Sequence, residues 1–400
     1  MQVRIDARPT APHSDDAFAP PHQRFHPAAM PPTRILILSD GRPGHFNLSE
    51  GIAAAIERLG PVQTSRIDIR RGRWSGSVLA ALTRARLPPR QLLRLVYGVD
   101  EKAIPACDVV VSAGAETLAA SIWLARARSV PNIFYGSLRL FSPADFALVL
   151  TSYARNADRP RHALALKPSR LDPDKLERAV GHALAAASSG PPTTIGLLLG
   201  GDAGPIRYTS ADWSDLFNFI VTMHREHGTR WLVANSRRTP NDVSDELTRL
   251  AAVEASPIQR FLDVRTAGPG TLPGLLAACD AMICTADSSS MISECIWARQ
   301  PTVAIKPTPF PLDRDERAYR DWLIGKGWCR ELALSDLTPA TFQQAVSRIC
   351  AQANNPLDEL AALLTARIPR LQSVTGTSLC KPTPPAAGHN EERTRQSPRT

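Results

Sequence analysis

Apolar residues fall along this chain in short runs, each followed by a longer stretch in which they return every three or four positions. In the first half, runs at 34–39, 65–69, 108–113, 132–135 and 146–150 read as strands, and the patterns at 48–59, 75–86 and 116–126 read as helices. Strand-helix alternation of this kind predicts a parallel sheet covered on both faces. The cadence breaks between 167 and 193, where a polar helical stretch is closed by Ser188-Ser189-Gly190-Pro191-Pro192, a sequence that cannot continue a helix. It then restarts, with strands at 194–199, 230–235, 281–285 and 302–305 and helices at 211–226, 241–253, 288–298 and 316–326. Two further helical segments follow, at 340–353 and 357–371.

The pattern therefore predicts an α/β protein of two Rossmann-like, doubly wound domains. The expected division is a lead-in at 1–32, a domain at 33–170, a linker at 171–192, a second domain at 193–340, terminal helices at 341–372 and a tail at 373–400. The lead-in and the tail are rich in proline and polar residues and are expected to be disordered. A length of 400 residues with 43% hydrophobic content suits two separate cores.

Composition then narrows the setting. No apolar run approaches the roughly 20 residues that a membrane-spanning helix needs, and the N-terminus carries no apolar signal region. The seven cysteines include no C-x-x-C pair and lie mostly in apolar segments, which points to buried thiols in a reducing cytoplasm. Much of the net charge of +9 gathers between Arg66 and Arg94, where arginines interleave with Trp74, Val78, Leu79, Leu82, Leu87, Leu92, Leu93 and Leu95. This suits contact with an anionic membrane surface at the inner face of the membrane, or simply a solvated face. No motif supports a nucleic-acid partner.

Candidate chemistry sits at the strand ends, where ligands collect in doubly wound sheets. After 34–39 come Asp40-Gly41-Arg42-Pro43-Gly44-His45: Arg42 suits an anion, and His45 or Asp40 suits proton transfer, while the bland alternative is a capped turn with a solvated histidine. After 108–113, Gly114 opens either a plain turn or a helix start whose amides face a cleft. The loop after 194–199 holds Gly200, Gly201, Asp202, Gly204 and Arg207; its glycines suit backbone amides turned toward a phosphate, although it is neither a dinucleotide fingerprint nor a Walker loop.

Ser236-Arg237-Arg238-Thr239-Pro240 combines a helix start, with Thr239 as cap and Pro240 first in the helix, with two arginines suited to pyrophosphate. Finally, Asp287, Ser288, Ser289, Ser290 and Glu294 follow 281–285. Asp287, Ser290 and Glu294 are spaced to share one helical face near its positive end, with hydroxyls for phosphate oxygens and Glu294 for a ribose diol. Capping by Asp287 and Ser288, with Glu294 in solvent, is the alternative. No metal site is expected from these motifs, though Asp202 and Asp287 are carboxylates that could approach one another.

Together, 39–45 (SDGRPGH), 198–208 (LLGGDAGPIRY), 236–240 (SRRTP) and 284–294 (CTADSSSMISE) resemble, in order and spacing, bacterial members of the family that includes the plant elongated-mitochondria fission factor. Ala203 departs from the family's usual serine. The resemblance implies a glycosyltransferase-B-like fold, with the two domains facing across a cleft. It further implies metal-independent transfer from a nucleotide-sugar donor, needing no other cofactor, to an unidentified acceptor of cell-envelope type bound by the first domain. In that scheme Glu294 holds ribose or sugar, Gly201, Arg237, Ser288 and Ser289 contact the diphosphate, and His45 or Asp40 is the base. A nucleotide-sugar epimerase or hydrolase, and a non-catalytic scaffold that recruits a protein or a membrane, are the alternatives.

Overall fold

The computed structural model describes residues 31–180, 192–267 and 271–371. The expected tail, all but two residues of the expected lead-in, and 181–191 of the expected linker lie outside the described residues.

Among the described residues, twelve strands form two six-stranded sheets in which every pairing is parallel. The first contains β1 (Thr33–Ser39), β2 (Val62–Asp68), β3 (Val109–Ala113), β4 (Asn132–Tyr135), β5 (Leu148–Thr151) and β6 (His162–Leu164), in the order β2-β1-β3-β4-β5-β6. Around it lie α1 (Pro43–Glu57), α2 (Gly76–Arg84), α3 (Pro89–Tyr97) and α4 (Leu118–Arg128); α5 (Pro173–Val180) follows the last strand and packs on the helix 272–277 of the second half. The second sheet contains β7 (Thr194–Leu198), β8 (Arg230–Ala234), β9 (Ile258–Leu262), β10 (Ala281–Thr285), β11 (Thr302–Lys306) and β12 (Cys329–Ala333), in the order β12-β11-β10-β7-β8-β9. Its helices are α6 (Ser210–His227), α7 (Asn241–Ala251), α8 (Leu272–Ala277), α9 (Ser289–Trp297), α10 (Arg314–Gly325), α11 (Pro339–Ser347) and α12 (Pro356–Arg367).

The central strands form because their residues are apolar on both faces: Ile35, Leu36, Ile37 and Leu38 of β1 are all buried, as are all five residues of β10. The three strands the hydrophobic pattern did not predict, β6, β9 and β12, all lie at sheet edges. An edge strand has one neighbour and one covered face, so its residues alternate or mix, as in the Ile-Gln-Arg-Phe-Leu of β9.

Helix α3 was also unexpected. It begins at Pro89 and ends on Gly98, whose φ of +64° closes the helix in the left-handed conformation that glycine adopts without penalty. Its buried residues Leu92, Leu93, Val96 and Tyr97 pack into the core beneath α4. This corrects the reading of 66–94 as one amphipathic surface. Leu79, Leu92 and Leu93 are core, Arg66 stacks over the Phe46 ring at 4.0 Å, and Arg71 and Arg90 are paired with Glu116 and Glu101. Val78, Leu87 and Leu95 remain exposed.

One core lies on the outer face of each sheet, and a third runs continuously from Ile37 and Ile52 in the first half to Ile292, Trp297 and Leu360 in the second. Helix α11 packs on the second sheet, but α12 returns to the first half and packs on α1, where Arg58 pairs with Asp358, Asp172 and Asp174. Among the described residues no helix is long and apolar enough to cross a membrane. Of the six cysteines among the described residues, five are buried and Cys350 is exposed.

Candidate active site

In each sheet the strand order reverses direction once, between β1 and β3 in the first and between β10 and β7 in the second. Loops leaving such a pair of strands diverge and open a crevice. Both crevices hold chemistry.

At the first, α1 starts at Pro43 and not near Leu48, because proline's fixed φ suits the first helical position. His45 therefore rides on the first turn of a helix. Its Nδ1 lies 2.8 Å from Oδ2 of Asp40, whose carboxylate is almost fully buried while the imidazole is one-third exposed. Asp40 Oδ1 also accepts the Arg42 amide at 3.1 Å, which fixes the carboxylate plane. With Nδ1–H donated to Asp40, the lone pair is on Nε2, the arrangement of an oriented general base. The two residues proposed from sequence as alternative bases are thus one pair. Gly114, arriving from β3 with φ of +91°, closes over them: a Cβ there would lie 2.3 Å from His45 Nδ1 and 2.9 Å from Asp40 Oδ2.

The second crevice is built differently from the expectation. The Gly200 amide donates to Thr285 Oγ1 at 2.6 Å and is not available to an anion. Gly200 and Gly201 are glycine because other loops press on them: a Cβ at Gly200 would lie 2.2 Å from the Asp287 carboxylate, and one at Gly201 would lie 2.0 Å from the Arg238 carbonyl. The loop then closes on itself through reciprocal backbone bonds between Ala203 and Ile206. Gly204, at φ of +56°, provides the turn. Arg207 folds back onto the Gly204 and Ile206 carbonyls and pairs with Asp202, which also accepts the Tyr208 amide. Arg207 and Asp202 therefore serve loop structure.

Of the two adjacent arginines, both exposed, it is Arg238 that joins the cluster. Nε and Nη2 of Arg238 both reach Oδ2 of the fully buried Asp287, at 3.2 and 2.6 Å. Asp287 precedes α9 and so does not share a helical face with Ser290 and Glu294. Thr239 is likewise not the cap of α7. Pro240 holds that position, and the Thr239 hydroxyl instead takes the Ser236 amide and bonds the Leu199 and Gly200 carbonyls, tying the two loops together. The Ser236 hydroxyl accepts the Arg238 amide, and Ser288 caps α9 by accepting the Met291 amide. Arg320, almost fully buried on α10, supports the 286–288 loop through the Ala286 carbonyl and is itself held by Glu316 and Glu331. Among the described residues no three His, Cys, Asp or Glu side chains converge as a metal-ligand set.

Between the crevices runs the segment 165–171; from 167 it was read as the start of a polar helical stretch, but it has no regular structure before α5 begins at Pro173. Its backbone touches α1 so closely that a Cβ at Gly51 would collide with Pro168 and Ser169. Lys167 is half-buried against α9 and α10, its ammonium on the Ser289 hydroxyl, 3.4 Å from Glu316 and 4.7 Å from the Tyr319 ring centre. Burial lowers its pKa from the ordinary lysine value, and Glu316 opposes the shift. Arg170 pairs with Glu50 of α1 at 3.6 Å and acts electrostatically on Glu294 of α9. Burial pushes the Glu294 carboxyl up to about 7, and Arg170 partly offsets it. Ser290, one turn before it, is exposed. Lys167 and Arg170 were not singled out because nothing in their local sequence distinguishes them from solvated cations, and the choice of Arg238 over Arg237 was not legible in the Arg-Arg pair.

Residues 43–363 match the family described as Mitochondrial fission ELM1. The chain belongs to that family. No curated protein matches it in sequence. Among solved structures, this ELM1-family chain is similar to a putative UDP-N-acetylglucosamine 2-epimerase from Listeria monocytogenes, with 11% identity, coverage of 86% of this chain and 98% of that one, and a TM-score of 0.52. It also matches Acinetobacter baumannii MurG, at 14% identity over 86% and 100% of the two chains with a TM-score of 0.44. At such identities the likeness is one of fold: two parallel sheets in the glycosyltransferase-B arrangement.

Proposed function

We propose that this chain transfers a glycosyl group from a nucleotide sugar to an acceptor hydroxyl, without a catalytic metal. The observation that carries the reading is the Asp40–His45 pair held under Gly114 at the reversal point of the first sheet. In this reading His45 Nε2 takes the acceptor proton, the acceptor oxygen forms a bond to the anomeric carbon, and the bond from that carbon to the diphosphate breaks. The electron pair leaves with the diphosphate. Arg238, Lys167 and the N-terminus of α9 supply the positive charge that a leaving diphosphate needs. Glu294, on the same helix, is the partner for the ribose or sugar hydroxyls. Arg238 replaces Arg237 in this scheme because it lies against the loop junction of the second crevice. The nucleotide-sugar class is also the one named for the Listeria structure that shares the fold.

Thermal unfolding of the purified full chain with uridine, guanosine, cytidine and thymidine diphosphates, with and without magnesium, tests the donor site. One nucleotide at about 100 times its Kd is expected to stabilise the protein by about 2.7 kcal/mol, equally with EDTA present. Glu294→Ala and Arg238→Ala are expected to lose the shift. Absence of a shift with every nucleotide would remove the donor reading. Release of a modified sugar from the donor alone, without acceptor, would move the assignment to an epimerase or hydrolase.

A further inference from the structure

A cavity of about 630 Å³ opens at the carboxyl end of the first sheet, beside the loops that hold Asp40, His45 and Gly114. Three arginines line it from three different loops: Arg42 after β1, Arg71 after β2 and Arg139 after β4. The only carboxylate among its lining residues is Glu116, which pairs with Arg71 at 3.0 Å. Arg42 is largely exposed and only distantly attracted to Asp40, at 4.0 Å, and Arg139 is exposed as well. The first residues of α2 and α4 also line the cavity, so both helices present their positive ends to it. The lining also includes the apolar residues Leu118, Phe141 and Leu140, the last of which is half exposed.

The lip carries a further signal. Arg139 has a φ of +52°, a conformation that costs a non-glycine residue about 1–2 kcal/mol. The strained turn sets a cation and an exposed leucine side by side, and the Leu140 carbonyl is fixed by Arg84 of α2. Cation and apolar surface are thus presented to the same cavity.

We infer that this cavity is an acceptor site for an anionic amphiphile, with an oxyanion head group of the phosphate-ester class among Arg42, Arg71 and Arg139 and an apolar chain along Leu118, Phe141 and Leu140. A head group there lies next to the His45 loop, because Arg42 and Ala115 in the lining flank the residues that form and cover the Asp40–His45 pair. The word acceptor rests on the glycosyl-transfer reading; the binding does not. The ligand can come from two sources, a soluble phosphate ester or a lipid in a bilayer.

Calorimetric titration of the full chain without nucleotide tests the inference, using decyl phosphate below its micellar concentration, inorganic phosphate and decyl maltoside. Decyl phosphate is expected to bind at least tenfold tighter than either of the others. Arg139→Glu is expected to weaken it tenfold or more, and Leu140→Ser to weaken decyl phosphate while leaving inorganic phosphate unchanged. Unchanged thermal unfolding shows that both variants are folded. Co-sedimentation with phosphatidylcholine vesicles containing 30% phosphatidate would assign the bilayer source, and binding of decyl phosphate without vesicle capture the soluble one. Equal affinity for decyl phosphate and decyl maltoside, for decyl phosphate and inorganic phosphate, or for wild type and Arg139→Glu, would overturn the inference. Because no nucleotide is present, and Glu294→Ala is expected to bind decyl phosphate normally, failure of the donor reading leaves this result standing.

Discussion

Three glycines near His45 allow the packing of the Asp40–His45 pair to be measured by alanine substitution. Gly44 sits in the first turn of α1 with open space around its Cβ position and no positive φ, so Gly44→Ala is expected to stabilise by about 0.5–1 kcal/mol through helix propensity. Gly41 has φ of +80° but also open space, so Gly41→Ala carries the backbone penalty alone, about 1–2 kcal/mol. Gly114 has φ of +91° and a Cβ position 2.3 Å from His45 Nδ1 and 2.7 Å from Cε1. Ordinary contact between such atoms is about 3.5 Å, so the ring must retreat by roughly 1 Å. Overpacking of that kind adds about 1–3 kcal/mol, for a total of about 2–5 kcal/mol. A reacting group displaced by 1 Å is expected to lose on the order of 10²-fold in turnover. Urea unfolding of the three variants gives the stability order, and the imidazole ¹⁵N spectrum of His45 reports whether Nδ1 keeps its acceptor. If Gly114→Ala lost no more stability than Gly41→Ala and left the His45 spectrum unchanged, Gly114 would not be packed on the pair, and its place in the proposed site would fall.

Asp40→Asn keeps the shape of the pair but allows the wrong imidazole tautomer, so turnover is expected to fall about 10³–10⁴-fold with little loss of fold; ¹⁵N shifts showing Nε2 protonated would confirm the cause, and undiminished turnover would exclude His45 as the oriented base. Glu294 binds its proton more tightly folded than unfolded, so its contribution to stability is complete below pH 4.5 and is lost as pH rises through about 7, on the order of 3 kcal/mol; Glu294→Gln is expected to flatten that slope in urea unfolding at a series of pH values. If the Glu294 carboxylate accepts the ribose hydroxyls, nucleotide affinity rises over the same interval, and a flat affinity profile in the wild type would argue against that contact. Arg320→Met strips the guanidinium from Glu316 and Glu331 and from the Ala286 carbonyl, with an expected loss of about 3–5 kcal/mol by denaturation; a loss below 1 kcal/mol would show that the network does not hold the 286–288 loop.

By itself the sequence determined the elements that are buried on both faces. The Asn132–Tyr135 and Ala281–Thr285 strands stand where the apolar runs place them, because a strand flanked by two neighbours and covered on both sides has no polar position to blur its signal. It also determined that the glycines, the serine cluster and the His45 loop stand at strand ends, since that follows directly from local order. Edge strands β6, β9 and β12 and helix α3 needed the tertiary structure, because half-covered residues lose the periodicity by which they are read. So did every pairing between loops. Asp40 and His45 meet within one loop, but Gly114, which closes over the pair, arrives from another strand. Arg238, though exposed, reaches the buried Asp287 carboxylate across a loop that the Thr239 hydroxyl pins to the Leu199 and Gly200 carbonyls. Lys167 reaches Ser289 because the segment joining the halves is buried between α1 and α9. Local sequence sets the φ, ψ and polarity of a segment; which side chain meets which is decided by the order of strands in the sheet, and that order is a property of the whole chain.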